Sequence, residues 1–486
     1  MHIVHLVSEY ALIAKAGGLG DMVYGLCQSL NSDGRSVSLI MPFYQQVEKE
    51  KLESLRPYGQ PFPLREGEKI YMNQTWRATV ENIPLFLIQT DHHQRYFLRQ
   101  EIYGEPDDPD RFLYFSKAAL HLLSQQPDRV DILHLHDWMT GCGALLYRML
   151  YSSLFHIKGL ITTIHNMSYQ GICDPSLLVR LGITEERLAS QPCIWDAAYA
   201  KKVNLLSSAI GFSDRCTTVS PSYAQELKEN PTYHFHGKAL QGILNGIDLD
   251  FWNPQTDPYL AQRYQPASLS MEEILRAKMI NRRAFYHRAG VHKSCSSPLV
   301  ISITRLVEQK GPQLIRFGLK YTLKKGGSFT LLGSTPDPAW RTEFMQLEQR
   351  YRGHPNLYLH FQFDEGLAHL LFASADYILI PSNFEPCGLT QMIALRYATI
   401  PIVHQTGGLK DTVYDIDQEP QFGERCNGYT FAPCSSQSLA GTLDRVFAHF
   451  CHNHSKRFSM IRNGIDQLWG WEHSVRRYLS LYQQLM

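Results

Sequence analysis

The run Pro381–Gln391 holds the densest set of groups able to do chemistry. An apolar segment, Asp376–Ile380, precedes it, and helix formers, Cys387–Ala398, follow. It therefore reads as a turn from a buried parallel strand into a helix, the place where open α/β sheets bind ligands. The amides of Gly388, Leu389 and Thr390 fall at the helix start, unpaired by helix geometry and suited to a phosphate. Gly388 lets the backbone approach such a group closely. Glu385 stands just outside this turn. A carboxylate does nothing for a phosphate, but it suits a neutral, hydroxyl-rich group carried on that phosphate. The alternative is a helix-capping role.

Other groups suit the same chemistry. Arg305 and Lys310 follow the apolar run Leu299–Ile303, two cations where an anion would bind. Lys15 precedes Gly17, Gly18 and Asp21 in a second glycine turn. That turn fits neither G-x-G-x-x-G nor a G-K-[ST] phosphate loop. His134 and His136 share one strand face, as a metal pair would, but no H-E-x-x-H or cysteine cluster completes a site, so no metal is expected. Asp137 either caps the next helix or meets a ligand. Trp138 either offers a flat face to a sugar or packs in the core. His165 and Asn166 end another strand, and Asn245 opens a tight turn with Gly246.

The elements that must position these groups recur in order. Strands are predicted at His2–Val7, Val37–Met41, Val130–Leu135, Leu160–Ile164 and Arg215–Val219, with helices at Met22–Leu30 and from Pro221. A Pro/Asn/Asp-rich stretch, 251–258, reads as a linker. A helix at Met271–His287 opens a second series of strands at Leu299–Ile303, Phe329–Leu332, Leu357–Phe361, Asp376–Ile380 and Ile400–His404. Gly407-Gly408 echoes Gly17-Gly18 at a helix start. The chain thus reads as two Rossmann-like α/β domains facing across a deep cleft, 1–250 and 259–464, with a C-terminal helix at 465–486 packing back on the first.

Composition narrows the function classes. The 486 residues exceed one core. Lys+Arg (47) nearly balance Asp+Glu (46), which argues against a nucleic-acid binder with a broad basic face. The ten cysteines, Cys295 among them, form no C-x-x-C pair and read as reduced thiols. No apolar run is long enough to span a membrane. The N-terminus reads as a strand and not a signal peptide, so a cytoplasmic protein is expected.

The strings Lys15–Asp21, His134–Trp138, Thr163–Asn166, Val219–Pro221, Leu244–Asp248, Arg305–Gly311, Phe384–Thr390 and Thr406–Leu409, in this order, resemble the bacterial glycogen synthases and plant starch synthases. The resemblance implies the GT-B architecture and retaining transfer of glucose from ADP-glucose to the non-reducing end of an α-1,4-glucan. It implies that Lys15, Arg305 and Lys310 hold the diphosphate and that Gly388–Thr390 take the distal phosphate. Glu385 would bind donor glucose hydroxyls, and His165 would line the reacting sugar. Gly17 and Gly18 fall on the donor side. Asp137, Trp138, Asn166, Asn245 and Asp21 fall on the acceptor side. Phe363 replaces a tyrosine that stacks near the nucleobase, so stacking survives without the hydroxyl. Ser207 replaces a lysine, and Ile393 stands where the broader superfamily often has a second glutamate. Sucrose or trehalose-phosphate synthesis, an inert glucan-binding role and glycoside hydrolysis are the rival readings. Hydrolysis needs two flanking carboxylates, and only Glu385 is in place.

No cofactor is expected, because three cations and a set of amides can neutralise a departing diphosphate. Three D-x-D strings, from Asp108, Asp248 and Asp415, are short enough to arise by chance. Glucosyl transfer should survive exhaustive EDTA treatment. Loss of activity restored by Mn²⁺ or Mg²⁺ would count against this.

Overall fold

The structure is a computed structural model and describes residues 1–126, 130–291 and 297–486. Cys295 lies outside the described residues. Two compact units divide the chain: Met1–Gly246 with Trp471–Met486, and Ile247–Gly470. No helix among the described residues is long and apolar enough to cross a membrane.

The first unit is built on a nine-stranded sheet. Its strands are β1 (His2–Leu6), β2 (Ser36–Pro42), β3 (Glu53–Glu66), β4 (Lys69–Val80), β5 (Ile83–Thr90), β6 (Ile132–His136) and β7 (Gly159–Ile164). After a two-stranded ribbon, β8 (Ile172–Cys173) with β9 (Val203–Asn204), come β10 (Arg215–Thr218) and β11 (Leu240–Gly242). The order is β11-β10-β7-β6-β1-β2-β5-β4-β3. Strands from β11 to β5 run parallel, and β3 and β4 add an antiparallel edge. The central strands are buried and mostly apolar, as in a parallel sheet covered on both faces, with histidines interrupting β1 and β6. Strand order reverses between β1 and β6, so loops leaving those two strands diverge and open a crevice there.

The antiparallel edge was not readable from sequence. β3 carries Pro57, Pro61 and Pro63, each without an amide to donate, and such residues argue against a strand. They are tolerated because β3 is the outermost strand.

The second unit has a six-stranded parallel sheet. Its strands are β12 (Leu299–Ile303), β13 (Ser328–Leu332), β14 (Leu357–His360), β15 (Tyr377–Ile380), β16 (Ile400–His404) and β17 (Tyr429–Phe431). The order β14-β13-β12-β15-β16-β17 places its reversal between β12 and β15. The helix Met271–Arg288 starts with a capping box of Ser270 and Glu273. Its Arg282 donates to buried Asp376 at 2.6 Å, and Arg457 donates to the same carboxylate at 2.5 Å, fixing the entry to β15.

Phe251–Pro258, expected as a linker, lie inside the second unit. Asp257 is buried and accepts from Tyr397 Oη at 2.6 Å and pairs with His369 Nδ1 at 2.7 Å. Trp252 stacks on His369 with centroids 4.2 Å apart. The turn-forming composition was real, but its side chains anchor a buried polar cluster. The predicted C-terminal helical stretch breaks between the helices His454–Asp466 and Glu472–Gln483, and the units divide in that break.

The returning segment is part of the first unit's core. Tyr478 and Tyr482 are fully buried, and a Cβ added at Gly25 would come within 1.9 Å of Trp471 Nε1. The helix Gly18–Ser32 therefore lies against the indole. Removing a buried Trp side chain costs about 3–5 kcal/mol. Trp471→Ala should lower the melting temperature of the first unit and expose residues 471–486 to protease. An unchanged melting curve with no new cleavage would contradict this packing role.

Candidate active site

In the second unit, the loops after β12 and β15 are laced together at the reversal point. Asn383 N donates to Gln309 O at 2.8 Å, and Asn383 Nδ2 to Glu308 O at 2.7 Å. Gly311 has φ +66°, and a Cβ there would meet Pro381 O at 2.1 Å. This contact lets Lys310 reach the end of β15. Its Nζ donates to Glu385 Oε2 at 2.6 Å, and Ser382 Oγ donates to the same oxygen at 2.9 Å.

Glu385 is 6% exposed. Its Oε1 has no hydrogen-bond partner among the described residues. The helix Thr390–Arg396 has Leu389 at its N-cap and no side-chain cap, so the capping alternative for Glu385 does not hold. No acceptor among the described residues takes the amides of Gly388, Leu389 or Thr390. Gly388, at φ +70°, sits where a Cβ would meet the Gln391 side chain at 2.6 Å and Glu385 Cγ at 3.1 Å. A small recess opens here, lined by Thr304, Lys310, Ser382, Glu385, Gly388 and Thr390 among others. It thus brings a carboxylate, an ammonium and free amides together. Arg305 follows β12, exposed and without an ion-pair partner among the described residues. Phe363, after β14, is 84% exposed, an unusual position for a phenyl ring.

In the first unit, the loops after β1, β6 and β7 carry the sequence candidates. Glu9, which the sequence did not single out, fills the glycine turn. Its Oε2 accepts from the amides of Ala16 and Gly17 at 2.6 and 2.7 Å, and Tyr103 Oη donates to Oε1 at 2.7 Å. Its only sequence signal was a carboxylate just past the end of β1. Lys15 Nζ donates to Asp21 Oδ1 at 2.6 Å, and both side chains are exposed. Gly18 faces open space, and Gly17 has only Glu9 Oε1 at 4.0 Å.

Asp137 begins the helix Asp137–Leu146 with φ +52°, an uncommon conformation for a residue with a Cβ. Its buried Oδ1 accepts from the amides of His165 and Asn166 at 2.6 and 3.2 Å. It therefore shapes the end of β7. Burial pushes its pKa up to about 7, against the lowering effect of those two amides. Trp138 is 8% exposed, edge-on to Phe112, and a Cβ at Gly171 would strike its ring at 2.4 Å. The expectation of an open flat face is thus corrected: the indole is core. Asn166 Oδ1 accepts from Ser168 N at 3.0 Å. Asn245 is 6% exposed, and its buried Oδ1 has no partner among the described residues.

His134 and His136 do share a face, and His5 on β1 joins them, with donor atoms within 4.8 Å of one another. The rings of His134 and His136 stack at 25°. Imidazole lone pairs lie in the ring plane, so stacked rings do not converge on one ion. His134 is also engaged at both nitrogens, by Tyr482 Oη at 2.8 Å and Thr163 Oγ1 at 2.6 Å. Two of the D-x-D strings are tied into ion pairs, Asp108 with Arg111 and Asp415 and Asp417 with Arg445.

The two sheets, parallel apart from the β3–β4 edge, form a fold that two family models assign to the glycosyltransferases. Residues 2–246 match the family model described as the starch synthase catalytic domain, and residues 287–466 match that of the glycosyl transferases group 1. The chain belongs to the starch and glycogen synthase family. It is 38% identical over 501 residues to a glycogen synthase of Protochlamydia amoebophila, covering 100% of this chain and 99% of that protein. It is 40% identical over 495 residues to a probable starch synthase 4, chloroplastic/amyloplastic, of Arabidopsis thaliana, covering 99% of this chain but 47% of that longer protein. The solved catalytic domain of starch synthase IV from Arabidopsis thaliana, bound to ADP and acarbose, superposes with a TM-score of 0.93 at 39% identity, covering 100% of this chain and 99% of that one. A sucrose-phosphate synthase from Thermosynechococcus elongatus (TM-score 0.60, 16% identity, 100% of this chain and 99% of that one) shares the fold alone.

Asp137 gives a pH test. Its folded pKa of about 7 exceeds the ordinary 3.8, so between these values the folded state holds a proton that the unfolded chain has lost. Stability from this group is therefore greatest below about pH 3.8, falls as pH rises towards 7 and changes no further above it. Asp137→Asn keeps an acceptor for the two amides and does not ionise. Its melting temperature relative to the wild type should rise from pH 5 to about pH 7 and level off above that. A constant or shrinking difference would contradict the assignment.

Proposed function

We propose that the chain is a glycogen synthase, transferring glucose from ADP-glucose to the non-reducing end of an α-1,4-glucan with retention of configuration, in the cytoplasm. The observation that carries this is the recess of the second unit. There Glu385, Lys310, Gly388 and Thr390 line one cavity, with the Glu385 carboxylate bonded to the Lys310 ammonium. An anion cradle beside a carboxylate fits a sugar carried on a phosphate, and neither half is explained by the other alone. ADP in the solved plant relative supports the adenine nucleotide as donor, and acarbose in the same structure supports a glucan as acceptor.

In this reading Arg305 and Lys310 neutralise the leaving diphosphate, and the amides at 388–390 bind the distal phosphate. Lys310 keeps donors for phosphate while it holds Glu385, because an ammonium has three. Glu385 uses Oε2 for Lys310 and Ser382 and presents Oε1 to glucose hydroxyls. Phe363 stacks under the base. In the first unit, Lys15 with Gly17 and Gly18 serves the donor, His165 meets the reacting sugar, and Asp21, Asn166 and Asn245 serve the acceptor. Asp137 positions the His165–Asn166 backbone. No metal or cofactor is assigned a role. Oriented cations and amides stabilise a leaving anion without reorganising, and this effect is usually the largest in catalysis.

Glu385→Gln keeps the shape and removes the charge-assisted hydrogen bonds, worth about 1.5–3 kcal/mol each. With the transition-state stabilisation a placed charge gives, kcat should fall roughly 10²–10³-fold. ADP affinity should change little, since ADP carries no glucose. Wild-type-like turnover in this variant, within a few-fold, would overturn the role given to Glu385.

A further inference from the structure

The histidines behind His165 form a line. His165 Nε2 lies 3.1 Å from His136 Nδ1, and His136 Nε2 lies 3.1 Å from His5 Nδ1. The line ends inside the sheet at His5 Nε2, a buried nitrogen with no hydrogen-bond partner among the described residues. His134 is a side branch that stacks on His136 and bonds elsewhere.

All four rings are neutral. Burial pushes His5 and His165 down to about 3 and holds His134 and His136 well below the ordinary imidazole range. A neutral imidazole has one N–H and one bare nitrogen. Each contact along the line needs one proton, so the direction of one bond fixes the rest. In one direction the line ends in an N–H at His5 Nε2 with nothing to accept it. In the other it ends in a bare lone pair. Orphaned buried N–H groups are rare because their desolvation is uncompensated. The protons therefore sit on Nδ1 of His5, Nδ1 of His136 and, by continuation, Nδ1 of His165. This is the reverse of the Nε2–H form that a free neutral imidazole favours.

We propose that His5 and His136 are positioning residues that lock His165 with its proton on Nδ1, the ring nitrogen that no other described residue engages. His165 then donates a hydrogen bond to its substrate and cannot take a proton there. That the accepting atom is a glucose hydroxyl oxygen rests on the glucosyltransferase reading; the tautomer does not.

Two-bond nitrogen–proton correlation on ¹⁵N-histidine-labelled full-length protein, without substrate, reads the tautomer directly. His165→Gln identifies the His165 signals by their loss. The expected result is an Nδ1–H, neutral His165. An Nε2–H or imidazolium pattern overturns the proposal. His136→Asn keeps a partner for His165 Nε2, but one that can present either its N–H or its C=O, so the direction is no longer imposed. The Nε2–H share of His165 should then exceed half, with kcat down about tenfold, as for one hydrogen bond lost at the transition state, and KM within about twofold. A His136→Asn protein that keeps a pure Nδ1–H His165 overturns the relay. If the Asn variant fails to fold, the wild-type spectrum decides alone. If the tautomer is as stated but no glucose is transferred from ADP-glucose, the functional reading fails and the tautomer assignment stands.

Discussion

A carboxylate held out of water must have a cation and hydrogen bonds to match, and Glu385 is such a carboxylate. Breaking a buried pair by removing one partner costs about 3–5 kcal/mol, because the other charge is left uncompensated. Much of the second unit's local structure follows from that constraint. Lys310 must reach Glu385, so the loop after β12 must lie against the loop after β15. That contact needs Gly311 beside the Pro381 carbonyl and the Asn383 bonds to Glu308 and Gln309. Those loops meet only where strand order reverses. The topology, the glycine and the ion pair are one arrangement viewed at three scales.

The two glycine pairs show how similar strings serve different physics. A Cβ at Gly17 or Gly18 would meet no backbone, and the turn they belong to wraps the Glu9 carboxylate. At Gly407 a Cβ would meet Glu385 O at 2.0 Å, and at Gly408 one would meet Cys387 O at 2.1 Å. Gly408 N also donates to Glu385 O at 2.9 Å. This second pair is a close-packing device that holds the backbone under Glu385. The sequence echo between them is a shared position at a helix start, but the surroundings differ.

What could be read in advance was what depends on local pattern. The ten strands predicted from apolar runs agree with the structure to within two residues, whereas the parallel strands β5, β11 and β17 were missed. Glu385, Lys310 and Gly388 were singled out because they lie at strand ends, and they line one recess. What could not be read depends on distant partners. Glu9 is an ordinary carboxylate until Ala16 and Gly17 fold over it. Trp138 looked available until Gly171 and Phe112 covered it. His5 carried no signal, because its meaning comes from β6 and β7 lying beside it in the sheet. The prolines of β3 and the turn formers of 251–258 misled for the same reason: their neighbours, and not their propensities, decide their state.

Glu9 also changes what the first glycine turn can recognise. Any anion that takes the Ala16 and Gly17 amides must displace a carboxylate already seated on them. In the donor role proposed for this turn, binding there is an exchange. A newcomer gains only the margin by which it exceeds Glu9, and a singly charged carboxylate of ordinary strength has none. A ligand with more charge and more acceptor atoms, such as a diphosphate, keeps a surplus. For the donor role proposed for this turn, the resident side chain sets a threshold that a small, singly charged anion does not pass.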